Sequence, residues 1–186
     1  MASGDDHCDR ALDGLAPAEL GAWRGLLRVH AALVKALDAE LSAAHELPLS
    51  SYEVLIALEA APGRRRRMAE LADSVLLSRS GMTRLVDRLE REGLLAREDC
   101  PDDRRGSFAV LTDRGAELLE RARPTHLDGV RERFLRHFGD DELRLLSSWW
   151  ERLLPGAGEA GPAPAGAPIP APGEVGDATQ DLSRAD

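Results

Sequence analysis

The chain has 186 residues and a mass of 20.1 kDa, with 43% hydrophobic and 31% charged residues; that suits one ordinary domain with tails and the composition of a soluble globular protein. No stretch approaches the ~20 continuous apolar residues of a membrane span, and the acidic, polar start from Met1 to Leu15 does not read as a secretory signal. Two cysteines, Cys8 and Cys100, supply neither a disulfide framework nor a zinc-ligand set, so a cytoplasmic protein without a cofactor is expected.

The net charge of −9 argues against a polyanionic partner only as an average. Residues 1–20 hold Asp5, Asp6, Asp9, Asp13 and Glu19 against Arg10, a net of −4. Residues 155–186 hold five acids against Arg184, also −4. Between these ends, residues 64–91 carry eight arginines against Glu70, Asp73, Asp87 and Glu90, a net of +4. A local basic face is what phosphate contact requires, although a solvated helix face would look the same on charge alone.

Taken in chain order, residues 1–15 read as a flexible segment. Pro17 suits a first helical turn, and Leu26, Leu27, Val29, Leu33, Val34, Leu37 and Leu41 mark one long helix over 17–45. Ser50 with Glu53 has the spacing of a capping box, opening a second helix that Pro62-Gly63 ends. Met68 to Ser74 forms a short third helix. Ser78 is placed to cap a fourth over 79–92, with Met82, Leu85, Val86 and Leu89 inward and Gly93 as its stop. Leu94–Glu98 and Ser107–Leu111 then alternate as strands of a hairpin around the charged stretch 99–106. Thr112 caps a long helix over 113–138, which Pro124 is expected to kink. Asp140 caps a last helix carrying Trp149 and Trp150. Residues 155–186 contain eight Ala, six Pro and six Gly, and read as a disordered tail.

Two helices joined by a short turn and followed by a basic hairpin describe a winged helix-turn-helix. The second helix of such a pair enters the major groove, so its outer side needs short hydrogen-bonding groups and Arg. Ser78, Arg79, Ser80, Thr83 and Arg84 supply these, and Arg104 or Arg105 on the hairpin would reach a minor groove. In such a fold the run Arg64–Arg67 before the third helix often forms a third, short strand of the wing sheet close to the DNA backbone, which suits phosphate contact through Arg64 and Arg65, with a solvated loop as the alternative.

The stretch from Glu70-Leu71-Ala72 through Leu77–Leu94, with Asp102-Asp103-Arg104-Arg105-Gly106 and Leu111-Thr112, resembles the MarR family of bacterial transcriptional regulators. The resemblance covers about residues 20–154. It implies a fold that is mainly α with a small β-hairpin wing. Residues 49–112 would be the DNA-binding winged helix-turn-helix, and 16–48 with 113–154 a helical dimerisation region. It also implies a homodimer on a pseudo-palindromic operator in double-stranded DNA, probed in the major groove by Ser78, Arg79, Ser80, Thr83 and Arg84. At the wing, Asp103 would orient Arg105 by a charge-assisted hydrogen bond. Adjacent Trp149 and Trp150 cannot both be buried by one helix face within a monomer; a partner subunit would cover the second, the alternative being that one Trp is simply exposed. The resemblance further implies repression relieved by a small aromatic or anionic effector. Trp23, Arg24, His30 and Tyr52 are the candidate contacts, although residues of these types at such positions are more often plain structure.

Other readings are a winged-helix protein-interaction module without DNA and a cysteine redox sensor. The acids around Cys8 and beside Cys100 would raise a thiol pKa and slow its oxidation. An enzyme is not expected. The chain has no His-Glu-x-x-His, phosphate loop or nucleophile elbow, and His7, His30, His45, His126 and His137 lack metal-ligand spacing.

Overall fold

The computed structural model describes residues 14–74, 79–100 and 103–157, with the side chains of 72–74, 79, 80, 100 and 103–106 outside the description. Helix α1 spans Pro17–His45. The Glu19 carboxylate accepts the Ala16 amide at 2.7 Å, closing its first turn, and Glu46 ends it in the left-handed region. Helix α2 spans Leu49–Glu59, so Ser50 lies inside the first turn and the expected capping box is absent. A carboxylate from another helix replaces it: Asp38 Oδ1 of α1 accepts the Leu49 amide at 2.9 Å. A 3-10 turn, Pro62–Arg64, leads into strand β1, Arg65–Arg67, and helix α3, Met68–Ser74.

Helix α4 spans Arg79–Arg91. It ends in a Schellman motif: Leu94 N donates to Leu89 O and Gly93 N to Glu90 O, each at 2.9 Å, with Gly93 at φ +71°. Strands β2, Leu95–Cys100, and β3, Asp103–Leu111, form the hairpin. Both run further than the apolar alternation suggests, because ladder pairing continues past the last apolar residue to Cys100 opposite Asp103. The sheet is antiparallel in the order β1-β3-β2, with Arg66 opposite Ala109 and Arg97 opposite Ala109 from the other side.

Thr112 caps helix α5, Asp113–Arg133, by accepting the Gly115 amide at 3.0 Å, and its own hydroxyl donates to Gly93 O. The helix runs unbroken through Pro124 but ends five residues before the expected position. Phe134 leaves helical geometry there, a 3-10 turn covers Leu135–His137, and the Phe134 and Phe138 rings pack at 5.1 Å. Helix α6, Asp140–Leu153, has Gly139 rather than Asp140 at its cap, and Glu142 reaches back to the Gly139 amide at 2.9 Å.

The core gathers Leu41 and Leu47 with Tyr52, Leu55 and Leu58 of α2, Leu71 of α3, the inner face of α4, Leu95, Ala109, Leu111 and Leu119. The long helices α1 and α5 are tied by His45 Nε2 and Thr125 Oγ1 at 2.8 Å and by Glu40 with Arg133. Helix α6 buries no residue in the single chain, and Leu145, Trp149 and Leu153 stay 41–49% exposed. Trp23, Leu26, Leu27 and Val29 of α1 are similarly open. No described helix is long and apolar enough to cross a membrane.

Candidate nucleic-acid interface

Helix α4 has two chemically distinct sides. Met82, Leu85, Val86 and Leu89, spaced three and four apart, are at most 7% exposed and anchor the helix to α2, α3 and the sheet. Thr83 and Arg84 point outward. Arg84 and Arg88 also line a shallow cleft with Ser50, Gly81 and Leu85, where α4 passes the start of α2. Arg79 and Ser80 lie on α4 by backbone alone, and Ser78 falls outside the described residues. The expected wing residues Asp103, Arg104 and Arg105 occupy the start of β3 rather than a loop. The expected Asp103–Arg105 hydrogen bond lies outside the described side chains.

The arginine run forms a strand on the sheet's edge. Arg65 and Arg67 face the outer side, their guanidinium carbons 4.7 and 5.6 Å from the centre of the Phe108 ring. Arg65 is also 3.8 Å from Glu98, and Arg64 is 3.6 Å from Asp113. These pairs are half-exposed or more, so each contributes little to stability and leaves the cations available to a competing anion.

Two ties hold α4, and neither was expected. Arg88 Nη2 donates to Ser51 Oγ at 2.6 Å, reaching a hydroxyl that is 1% exposed, while its Nε lies 4.0 Å from Glu92. On the other side, Arg97 of β2 binds both Asp87 and Glu90, the latter at 2.8 Å. Asp87 therefore serves the wing strand through its side chain, and its backbone carbonyl accepts Arg91 Nε at 3.2 Å. The sequence did carry a signal for this clamp. Asp87 and Glu90 are one helical turn apart, and Arg97 is in phase with buried Leu95 on a period-two strand.

The four effector candidates separate. Trp23 is 47% exposed, Arg24 half-buried and His30 exposed, all on α1. Tyr52 is 1% exposed, and its ring packs 4.6 Å from His126 of α5 inside the protomer. Burial raises the Tyr52 pKa, opposed by nearby Arg123, and lowers that of His126, whose Nδ1 is buried without a hydrogen-bond partner. Glu59 and Arg123, 2.6 Å apart, complete this α2–α5 contact. Burial also raises the Glu53 carboxyl, partly offset by His30.

A family model described as "MarR family" matches residues 45–106, which contain α2 to the start of β3. HosA, a transcriptional regulator from Escherichia coli O111:H-, is 32% identical over 59% of this chain and 82% of its own length. YkoM, an uncharacterised HTH-type transcriptional regulator from Bacillus subtilis (strain 168), is 32% identical over 44% of this chain; the match spans only 53% of YkoM. Among solved structures, Sco3205, a MarR family transcriptional regulator from Streptomyces coelicolor in complex with DNA, superposes with a TM-score of 0.70 at 36% identity. That match covers 74% of this chain and 89% of Sco3205. With α4 opposed to a three-stranded wing sheet and matches of this extent, the chain belongs to the MarR family of transcriptional regulators.

Proposed function

We propose that the protein is a homodimeric, sequence-specific double-stranded DNA-binding repressor, acting in the cytoplasm on a pseudo-palindromic operator and released by a small aromatic or anionic effector. The observation that carries the reading is the two-sided α4: an apolar face at most 7% exposed, and Thr83 with Arg84 open to solvent on the other side. A helix so anchored offers its outer edge to a major groove at little conformational cost. Ser78, Arg79, Ser80, Thr83 and Arg84 read base edges. Asp103, Arg104 and Arg105 bring the wing to the minor groove, and Arg64 and Arg65 contact phosphates. The solved DNA complex of Sco3205 supports this assignment by similarity.

The dimer reading rests on α1 and α6. Leu26, Leu27, Val29, Leu145, Trp149 and Leu153 are 41–52% exposed, and a second copy would cover them. Residues 16–48 and 113–154 then form the dimerisation region and 49–112 the DNA-binding lobe. The effector lies where α1 meets that lobe, against Trp23, Arg24 and His30, while Tyr52 serves as a core residue against His126. Binding there shifts the spacing of the two α4 helices and lowers DNA affinity.

The test is selection of duplexes from a randomised pool, followed by titration of the winner and of random duplex. Wild type prefers the selected duplex by at least about a thousandfold, at a stoichiometry of two chains per duplex. Arg84→Ala lowers affinity for the winner and relaxes preference at one base position in each half-site. Equal affinity for the selected and the random duplex refutes sequence-specific recognition, and an absence of binding to either at both low and high salt refutes the reading in favour of a protein-interaction module.

A further inference from the structure

We propose that Arg97 is the positioning residue that fixes the wing against the recognition helix, and so sets sequence discrimination without touching DNA. The proposal rests on the DNA-binding reading of α4 and the wing. Strand β2 is an edge of the sheet, bonded only to β3. An edge strand presents main-chain groups that need partners. At Arg97 that partner comes from α4: the backbone amide donates to Glu90 Oε1 at 3.3 Å. The guanidinium of the same residue donates through Nη1 to Glu90 Oε2 at 2.8 Å and through Nη2 to Asp87 Oδ1. One residue of the wing thus places three donors on two carboxylates of α4, a helical turn apart. A planar guanidinium spans such a pair with two nitrogens in fixed relation, whereas an ammonium offers a single charge centre.

The position of this contact is what gives it consequence. Thr83 and Arg84 lie in the first half of α4, and the wing's Asp103–Arg105 lie at the far end of β3. Along the chain, the hairpin follows α4 directly, through the short turn Glu92–Leu94. The Arg97 contact on Asp87 and Glu90 adds a polar link between the hairpin and the helix beyond that turn. Meanwhile Arg88 ties the same helix to Ser51 of α2. The recognition helix is therefore held by one arginine to the scaffold and by another to the wing. Simultaneous entry into adjacent major and minor grooves requires the two reading elements to keep a fixed separation, and a loosely supported site loses discrimination before it loses binding.

Arg97 also offsets one of the two negative charges of Asp87 and Glu90, so removing it would leave two uncompensated acids near phosphates. The two effects are separable. Uncompensated charge weakens binding to every duplex and scales with salt. Loss of position lowers the ratio of selected-duplex to random-duplex affinity at all salt concentrations. The variants are therefore Arg97→Lys, which keeps the charge and loses the fork, and the charge-balanced Glu90→Gln/Arg97→Gln. Both are assayed as full-length protein against a duplex selected by wild type and against random duplex, at two salt concentrations. Hydroxyl-radical footprints and unfolding midpoints accompany each titration.

The expected result is a roughly tenfold fall in the selected-to-random ratio for both variants. Minor-groove protection at the outer ends of the footprint weakens while central protection persists, in protein that remains folded at the assay temperature. An unchanged ratio in Arg97→Lys and in the double variant overturns the proposal, as does an equal loss on both duplexes. A wild-type protein without any selected duplex overturns the DNA reading itself, and the proposal with it.

Discussion

Two glycines of helix α5 should respond differently to the same added methyl group. A Cβ on Gly115 would lie 2.1 Å from the Leu94 carbonyl oxygen, 2.7 Å from Leu111 Cδ1 and 3.0 Å from Leu94 C. Carbon and oxygen normally approach no closer than about 3.3 Å, so helix and turn would have to part by about 1.2 Å. The obstacle is backbone, and it is already engaged: Leu94 O accepts the Thr112 amide at 3.3 Å, and Thr112 in turn caps α5 through Gly115. Overpacking strain of about 1–3 kcal/mol and a weakened cap of about 1 kcal/mol oppose a gain in helix propensity of about 1 kcal/mol. Gly115→Ala should therefore be destabilised by about 1–3 kcal/mol, lowering the unfolding midpoint by about 2–12 °C for a chain of this size. At Gly129 the nearest atoms are Glu40 Oε2 at 2.5 Å and Leu37 Cδ2 at 2.7 Å, both ends of flexible side chains. Those ends can turn aside, so Gly129→Ala should stay within about 1 kcal/mol of wild type. Thermal and urea unfolding at one fixed protomer concentration distinguish the two. Equal stability of the two variants, or a Gly115→Ala protein as stable as wild type, would refute the claim that α5 is seated on the Leu94 backbone.

Replacing Arg64 and Arg65 by Ala should weaken binding to all duplexes alike and flatten the salt dependence by about 0.9 in log–log slope for each phosphate no longer neutralised; weakening confined to one duplex contradicts a phosphate role. Ser51→Ala removes the buried acceptor of Arg88 and should lower stability by about 1 kcal/mol in urea titrations. That is less than a fully buried charged hydrogen bond is worth, because the Arg88 side chain is 38% exposed and water can replace the hydroxyl. Burial holds the His126 imidazole below its usual range, so between the folded and unfolded pKa values the unfolded chain binds more protons. The stability it contributes is complete above about pH 6.5 and is lost as pH falls toward the depressed value. His126→Phe should lack that acid limb while keeping the contact with Tyr52, and urea midpoints across pH 5–8 check it; an identical pH profile in both proteins refutes the assignment.

What the sequence determined by itself was local. The bounds of α1 and α3, the apolar stripe of α4 and its stop at Gly93 all follow from residues within a turn or two of one another. Helical hydrogen bonds and caps close over three to five residues, so their signals stay contiguous. The outward face of α4 followed at once, since an inward stripe of Met82, Leu85, Val86 and Leu89 leaves Thr83 and Arg84 no other side. The tertiary structure decided what depends on partners far along the chain. Helix α2 starts at Leu49 because Asp38 arrives from α1, and the arginine run becomes a strand because β3 lies beside it. Tyr52 turns inward onto His126, 74 positions later, although its type suited an open pocket equally well. Asp87 and Glu90 belong to Arg97 for the same reason: folding the hairpin back along α4 brings a guanidinium to two carboxylates that would otherwise be ordinary solvated charges.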